Sequence, residues 1–265
     1  MLVDSHAHID VGRFDKDRDQ MLSRAREAGV GAVVNVGCDL GSSRASIKLA
    51  QQYEEVFAAV GFHPHHAAKM VDGDLDKLTE LAQHPRVVAI GEIGLDFYRN
   101  LSPREAQIEA FKGQLELAER LGLPVIIHSR NSQEEVLSIL TEWAGRCKRG
   151  KALGVLHCFS GDGRLAEKYI EMGFLVSIAG PVTYSSSHAL EIARDAPLEK
   201  LLIETDCPFL TPHPHRGKRN EPSYLSYIVE KIGEIRGVAP ALVAERTAEN
   251  AIQLFALPML LKGAY

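Results

Sequence analysis

Short, continuously apolar segments recur along the chain and alternate with longer segments that have helical periodicity. The apolar segments are rich in Val, Ile and Leu and do not alternate with polar residues. This pattern is typical of parallel strands that are buried on both faces. We predict strands at 2–5, 31–37, 56–62, 86–91, 123–127, 153–157, 174–179 and 200–204.

The segments between the strands carry start and stop signals for helices. Ser102 and Glu105 form a potential capping box, with Pro103 at the predicted first helical position, and Ser132 with Glu135 repeats the box. Glycines follow the last turns of three predicted helices, at Gly29, Gly122 and Gly173.

Eight strands, each followed by a helix, favour a closed (β/α)₈ TIM-type barrel over an open sheet, which normally has fewer strands. The length of 265 residues suits one such barrel. Residues 240–256 are predicted to form an extra C-terminal helix. Because no linker or break in composition is present, we predict a single domain over 1–265.

The composition narrows the class of protein. No apolar run approaches the roughly 18 residues that a membrane helix needs, and the first ten residues lack the features of a signal peptide. Four cysteines (Cys38, Cys147, Cys158 and Cys207) are scattered, which predicts reduced thiols in a cytoplasmic protein. The net charge of −5 argues against a broad nucleic-acid-binding surface but allows local binding of nucleic acid at one site. Nothing in the sequence points to an obligate protein partner.

Polar residues follow the predicted strands, where barrel enzymes build their active sites. They are His6, His8, His63, His65, Glu92, Asp96, His128, Arg130, His157, Glu204 and Asp206. His6 and His8 are two residues apart on a strand, so both imidazoles point to the same side. Paired neutral imidazoles are a metal-ligand arrangement.

Further ligands follow other strands. Glu92, flanked by Gly91 and Gly94, could bridge two cations among the imidazoles. His128 and His157 are plausible ligands of a second metal. Asp206 follows the last strand, which lies beside the first strand once the barrel closes.

The chain resembles the TatD family of metal-dependent deoxyribonucleases. The resemblance rests on VDSHAHID, VGFHPHHA, GEIGLDFYRN, IIHSRN, LHCFSG and ETDCPFLTPHPHRGKRNEP, with TAENAIQLF near the end. It implies two divalent cations (Mg, Mn or Zn) bound by six residues. These are His6, His8, Glu92 and Asp206 for the first, and Glu92, His128 and His157 for the second, so that Glu92 is shared. It also implies metal-dependent hydrolysis of DNA phosphodiesters, as a 3′-5′ exonuclease on single strands.

The catalytic residues on this interpretation are Asp206 and Glu92. Asp206 is placed to orient the attacking water or accept its proton, and the cations stabilise the attacking and leaving oxygens. Glu204 could offer a third cation site.

Several residues are candidates to bind the DNA substrate at the barrel mouth. His63 and His65 could hold a phosphate or simply form a structured turn. The basic loop 211–222 contributes Arg216 and Arg219, and Arg130 follows His128. Aromatic side chains that could stack on an unpaired base, or merely pack, are Phe97, Tyr98 and Phe209.

Two alternatives remain open from the sequence. One is an amidohydrolase-type enzyme that acts on a small ester, amide or phosphoester, although such enzymes commonly bridge their metals with a carboxylated lysine where this chain has Glu92. The other is a metal-binding scaffold without catalysis, which the complete ligand set disfavours.

Overall fold

The computed structural model describes residues 1–147, 152–185 and 187–257 and contains one parallel eight-stranded sheet. The strands pair in sequence order, from β1 to β8. They are β1 (Leu2–Ala7), β2 (Val30–Val36), β3 (Val56–Val60), β4 (Val87–Asp96), β5 (Val125–Arg130), β6 (Gly154–Leu156), β7 (Phe174–Ile178) and β8 (Leu201–Ile203). All eight predicted strands are confirmed, and β4 extends beyond its predicted end to include Glu92 and Asp96.

A helix follows each strand, and one more helix follows the eighth, as predicted for a (β/α)₈ barrel. The helices are α1 (Arg18–Glu27), α2 (Leu40–Gln52), α3 (Asp74–Ala82), α4 (Arg104–Leu121), α5 (Gln133–Arg146), α6 (Gly163–Glu171), α7 (Ala189–Asp195), α8 (Leu225–Arg236) and α9 (Pro240–Phe255). Within the described ranges, none of these helices has the length and apolar character to cross a membrane. The single-domain prediction for 1–265 stays a prediction, since 258–265 lie outside the described residues.

Backbone hydrogen bonds join the chain after β8 to the end of β1. The amide of Asp206 donates to the carbonyl of His6 at 2.9 Å, and the amide of His8 donates to the carbonyl of Cys207 at 2.8 Å. These bonds close the barrel at its C-terminal rim. They also bring Asp206 beside both histidines.

The strands are buried on both faces, which explains their continuously apolar sequences. One set of strand residues packs against the surrounding helices. Another set, including Val34, Phe57 and Leu202, forms a second cluster together with Leu254 and Phe255 of α9. The extra C-terminal helix is therefore part of the hydrophobic core.

Both predicted capping boxes are wrong, although both helices exist. Neither Ser102 nor Ser132 caps its helix through its side chain. The Ser102 hydroxyl donates to the carbonyl of His65 at 3.0 Å, and the Ser132 hydroxyl donates to the carbonyl of Leu95 at 2.8 Å. Ser102 thus ties the start of α4 to the segment that follows β3, and Ser132 ties the start of α5 to the end of β4. The glycines that follow the helices are confirmed, and Gly29, Gly122 and Gly173 all have positive φ.

Candidate active site

His6, His8 and Asp206 meet at the barrel mouth. The Nε2 atoms of His6 and His8 lie 3.2 Å apart. Oδ1 of Asp206 lies 3.8 Å from Nε2 of His6 and 3.5 Å from Nε2 of His8. Three potential ligand atoms, contributed by the first strand and by the chain after the last strand, therefore converge on one point.

Glu92 lies at the centre of the site because β3, β4 and β5 approach one another closely around it. A Cβ at Gly91 would lie 2.6 Å from Cβ of Ile126, and a Cβ at Gly94 would collide with the carbonyl oxygen of His128. Gly94 also has a φ of +136°, a conformation that other residues rarely adopt. These glycines therefore serve the close packing of the backbones of β4 and β5.

The two carboxylate oxygens of Glu92 face different sets of imidazoles. Oε2 lies 3.4 Å from Nε2 of His6 and 3.7 Å from Nε2 of His8. Oε1 lies 2.8 Å from Nδ1 of His128 and 3.0 Å from Nε2 of His157. The site is thus divided into two groups that share a single carboxylate.

The buried charges of the site perturb one another. Burial would raise the pKa of Glu92, but the neighbouring imidazoles, His157 first among them, hold this pKa well below its usual range. For His157, burial would lower the pKa, and Glu92 and Glu204 together raise it well above its usual range. The carboxylate of Glu92 is therefore ionised at neutral pH, as a bridging ligand must be.

His8 and His157 each have one ring nitrogen held by an oxygen acceptor. Nδ1 of His8 lies 3.0 Å from the carbonyl oxygen of Val36. Nδ1 of His157 lies 3.1 Å from Oε1 of Glu204, which also accepts from the amide of Cys158 at 2.7 Å. In the neutral form of both residues the proton belongs on Nδ1, and the Nε2 lone pair then faces the site. The third-cation role expected for Glu204 stays a prediction, since the bonds that it makes here orient His157.

Asp96 orients His128 in the same way but through the opposite nitrogen. Oδ2 of Asp96 lies 3.2 Å from Nε2 of His128, so a neutral ring with its proton on Nε2 presents the Nδ1 lone pair to the site. The same oxygen lies 2.8 Å from Nε2 of His65. The sequence marked Asp96 as a polar strand-end residue but gave it no role. Its role depends on His65 and His128, which are far from it in sequence.

A second supporting carboxylate, Asp4, was missed by the sequence analysis. Its side chain accepts hydrogen bonds from the amide and the hydroxyl of Thr205, at 2.9 and 2.5 Å, and so fixes the segment that carries Asp206. Burial raises the pKa of Asp4 to about 7. The sequence offered one signal for this role, because Asp4 is an acidic residue within an otherwise apolar predicted strand.

The donor set fits divalent cations. Imidazole nitrogens suit Zn and its neighbours in the first transition series, carboxylate oxygens suit Mg and Mn, and the outer ring nitrogens of three imidazoles are already held by acceptors. The residues expected as metal ligands (His6, His8, Glu92, His128, His157 and Asp206) all lie in this one constellation.

The expected substrate contacts have different surroundings. Arg130 and Arg216 are exposed, and their guanidinium groups lie over the rings of Tyr98 and Tyr184, at 4.1 and 4.5 Å from the ring centroids. Arg219 instead donates two hydrogen bonds to the carboxylate of Asp17, at 2.7 and 2.6 Å. The geometry therefore favours Arg130 and Arg216 as free cations at the mouth.

The remaining candidates for substrate contacts also differ in their exposure. Tyr98 is 60% exposed, and Phe209 is 49% exposed and lies edge-on to His8. Phe97 is partly buried and packs beneath Arg104. Nε2 of His63 lies 3.4 Å from Oε1 of Glu92, so His63 belongs to the site itself.

Comparisons with known proteins agree with this geometry. The model of the family described as "TatD related DNase" matches residues 3–256. The chain belongs to the TatD family. It is 41% identical, over 96% of its length and 99% of the relative's, to the "uncharacterized metal-dependent hydrolase YabD" of Bacillus subtilis. It is 37% identical to the "3'-5' ssDNA/RNA exonuclease TatD" of Erwinia tasmaniensis, over 97% and 100% of the two chains.

A solved structure of the family has the same fold. The TatD homologue YJJV of Escherichia coli superposes with a TM-score of 0.90 at 31% identity, covering 97% of this chain and 98% of that one. The chain is therefore a metal-dependent hydrolase of the TatD family that acts on ester bonds.

Proposed function

We propose that this protein is a 3′-5′ exonuclease that hydrolyses phosphodiester bonds of single-stranded nucleic acid with two divalent cations. The observation that carries the proposal is the division of the Glu92 carboxylate between two groups of ligands, Oε2 toward His6 and His8 and Oε1 toward His128 and His157. Relatives with the exonuclease name match nearly the whole chain, which supports the choice of substrate.

The first cation would be held by His6, His8, Asp206 and Glu92, and the second by Glu92, His128 and His157. When bound, two divalent cations supply positive charge to the phosphate and activate water. Mg, Mn and Zn are the candidates, because the donor set combines carboxylates with imidazoles.

The chain's own residues have distinct tasks in this reaction. Asp206 lies at the open side of the first group and is proposed to orient the attacking water and accept its proton. Glu92 keeps the two groups together, and Asp96 and Glu204 hold His128 and His157 in place through their outer nitrogens.

The rim of the barrel supports a single-stranded substrate. Arg130 and Arg216 offer charges for phosphate groups, while Tyr98 and Phe209 offer exposed rings on which bases could stack. A cavity of about 240 Å³ is lined in part by Cys158, Phe159, Ser160 and Tyr184. Its volume is below the roughly 300–1,000 Å³ of drug-sized pockets, so it would hold only a small group.

The test is an assay of the purified protein on 5′-labelled single-stranded DNA, duplex DNA and single-stranded RNA. Each substrate is used with Mg²⁺, Mn²⁺ or Zn²⁺, with chelator, and with a blocked 3′ end. We expect a ladder shortening from the 3′ end of the single strands, abolished by chelator and by the block. Hydrolysis confined to small esters, amides or phosphotriesters would favour the amidohydrolase-type alternative.

A further inference from the structure

His63 differs from the imidazoles around it in the kind of hydrogen-bond partner that its outer ring nitrogen has. Its Nδ1 accepts a hydrogen bond from the backbone amide of His65, at 3.1 Å. A backbone N–H can only donate, so Nδ1 must present a lone pair. In His8, His128 and His157 the nitrogen held on the outer side lies against an oxygen acceptor, so it carries the proton of the neutral ring.

The proton of a neutral His63 consequently lies on Nε2. A second proton on Nδ1 would cost the ring its hydrogen bond from the amide of His65. A nitrogen that carries a proton has no lone pair for a metal. His63 is thus unsuited to be a ligand, although its Nε2 atom lies 3.4 Å from Oε1 of Glu92.

The Nε2–H group of His63 lies beside the second ligand group. The ring of His63 lies edge-on to that of His128, with 4.7 Å between their centroids, and both rings border the same carboxylate oxygen. His63 is buried and starts a turn whose amide fixes its ring. The structure therefore supplies a buried neutral donor with a fixed ring at the border of the second ligand group.

We infer that His63 is a catalytic hydrogen-bond donor whose neutral Nε2–H binds a phosphoryl oxygen of the substrate, and that it does not bind metal. The inference rests on the proposed phosphodiesterase function. His63 keeps its proton throughout: it donates a hydrogen bond to an oxygen that gains charge in the transition state, as a neutral imidazole can. Water attacks phosphorus as Asp206 accepts its proton, the P–O bond to the leaving alkoxide breaks, and this alkoxide takes a proton from solvent, so no proton leaves the ring of His63.

The tautomer is tested first, in the protein without substrate. Long-range ¹⁵N–¹H correlation spectra of the imidazoles at pH 7 should show the Nε2–H form for His63 and the Nδ1–H form for His8. An Nδ1–H form for His63 would overturn the inference whatever the enzyme cleaves. This measurement therefore separates failure of the inference from failure of the proposed function.

The role is tested with His63→Ala and His63→Gln, and His66→Ala on the same turn is the matched control. Mn²⁺ titration should give wild-type stoichiometry and a dissociation constant within about twofold for all three. Removal of one oxyanion donor costs roughly 10²–10³ in kcat, so we expect that loss for His63→Ala, partial recovery for His63→Gln, whose amide can donate, and no loss for His66→Ala.

A comparison of substrates with different leaving groups distinguishes a hydrogen-bond donor from a general acid. The loss in His63→Ala should be similar for DNA and for bis(p-nitrophenyl) phosphate, because a donor to a phosphoryl oxygen acts independently of the leaving group. A loss confined to DNA, whose alkoxide leaving group needs a proton, would make His63 a general acid and overturn the inference. Tenfold weaker Mn²⁺ binding would make it a ligand, and unchanged kcat would remove it from the reaction.

Discussion

Arg216 and Arg219 lie in the same basic loop, but the structure predicts opposite consequences for their replacement by alanine. The guanidinium of Arg219 is bound to both carboxylate oxygens of Asp17 and to the carbonyl oxygen of Arg13, and it covers the ring of Phe14. Arg216 is exposed and lies over Tyr184. We therefore expect Arg219→Ala to lower stability and Arg216→Ala to weaken nucleic-acid binding.

The magnitude for Arg219 follows from its contacts. A well-formed but partly exposed arginine–carboxylate pair contributes up to about 1 kcal/mol, and a cation–π contact at such a site adds about 0.5–1 kcal/mol. The free energy of unfolding should fall by about 1–2 kcal/mol in Arg219→Ala. For a chain of this size, Tm falls by roughly 2–4 °C for each kcal/mol.

The pH dependence of this loss has a defined sign. The hydrogen bond from Arg219 lowers the pKa of Asp17 to about 2. Because the pKa is depressed in the folded state, the pair stabilises the protein above the unfolded value of about 3.9, and the stabilisation is lost as the pH falls toward 2. The difference in unfolding free energy between wild type and Arg219→Ala should therefore shrink below pH 4.

The assay combines thermal unfolding with fluorescence anisotropy of a labelled single-stranded oligonucleotide over a series of salt concentrations. The salt slope should become shallower by about 0.7 in Arg216→Ala if one phosphate contact is lost, with Tm falling by no more than the roughly 1–4 °C of one cation–π contact. Arg219→Ala should keep the wild-type slope. An Arg219→Ala protein with wild-type Tm and a shallower slope would refute the reasoning and make Arg219 a phosphate contact.

Further predictions concern the metal site and the packing around it. Glu92→Ala should remove a ligand from both groups and lower the metal content of both, whereas His128→Ala should impair mainly the second group. An equal loss of metal from the two variants in elemental analysis would contradict the sharing of Glu92. Asp206→Asn keeps an oxygen that can coordinate but accepts no proton, so cleavage should fall by roughly 10²–10⁴-fold while part of the metal remains, and full activity would place the base elsewhere. Gly94→Ala should lower the urea midpoint of unfolding severely, because the added Cβ collides with the carbonyl oxygen of His128. Gly145→Ala in α5 is the control, because its Cβ position is surrounded by open space. Similar midpoints for the two variants would refute the packing argument.

The sequence predicted the barrel because periodicity reports burial directly. Strands buried on both faces leave continuous apolar runs, and strand ends share one rim, so the meeting of His6, His8 and Asp206 followed from order along the chain. The hydrogen-bond partners of individual side chains were not predictable from periodicity. Ser102 and Ser132 matched the capping pattern, yet their hydroxyls bind the segment that follows β3 and the end of β4.

The supporting carboxylates escaped prediction for a related reason. Asp4 and Asp96 act through partners that are distant in sequence, and no local pattern encodes those contacts. Arg219 is the reverse case, since its local pattern suggested a solvent-facing cation and its distant partner Asp17 binds it. The cytoplasmic location inferred from the scattered cysteines stays a prediction.

Closure of the barrel between its first strand and the segment after its last has a consequence for biosynthesis. The earliest ligand, His6, leaves the ribosome long before Asp206, and the two meet only through backbone bonds that join β1 to the chain after β8. A nascent chain or a truncated fragment that lacks this segment cannot assemble the first ligand group. The topology thus delays assembly of the first ligand group until more than three quarters of the chain has been synthesised and the ring of strands has closed, so incomplete copies of the chain lack this group.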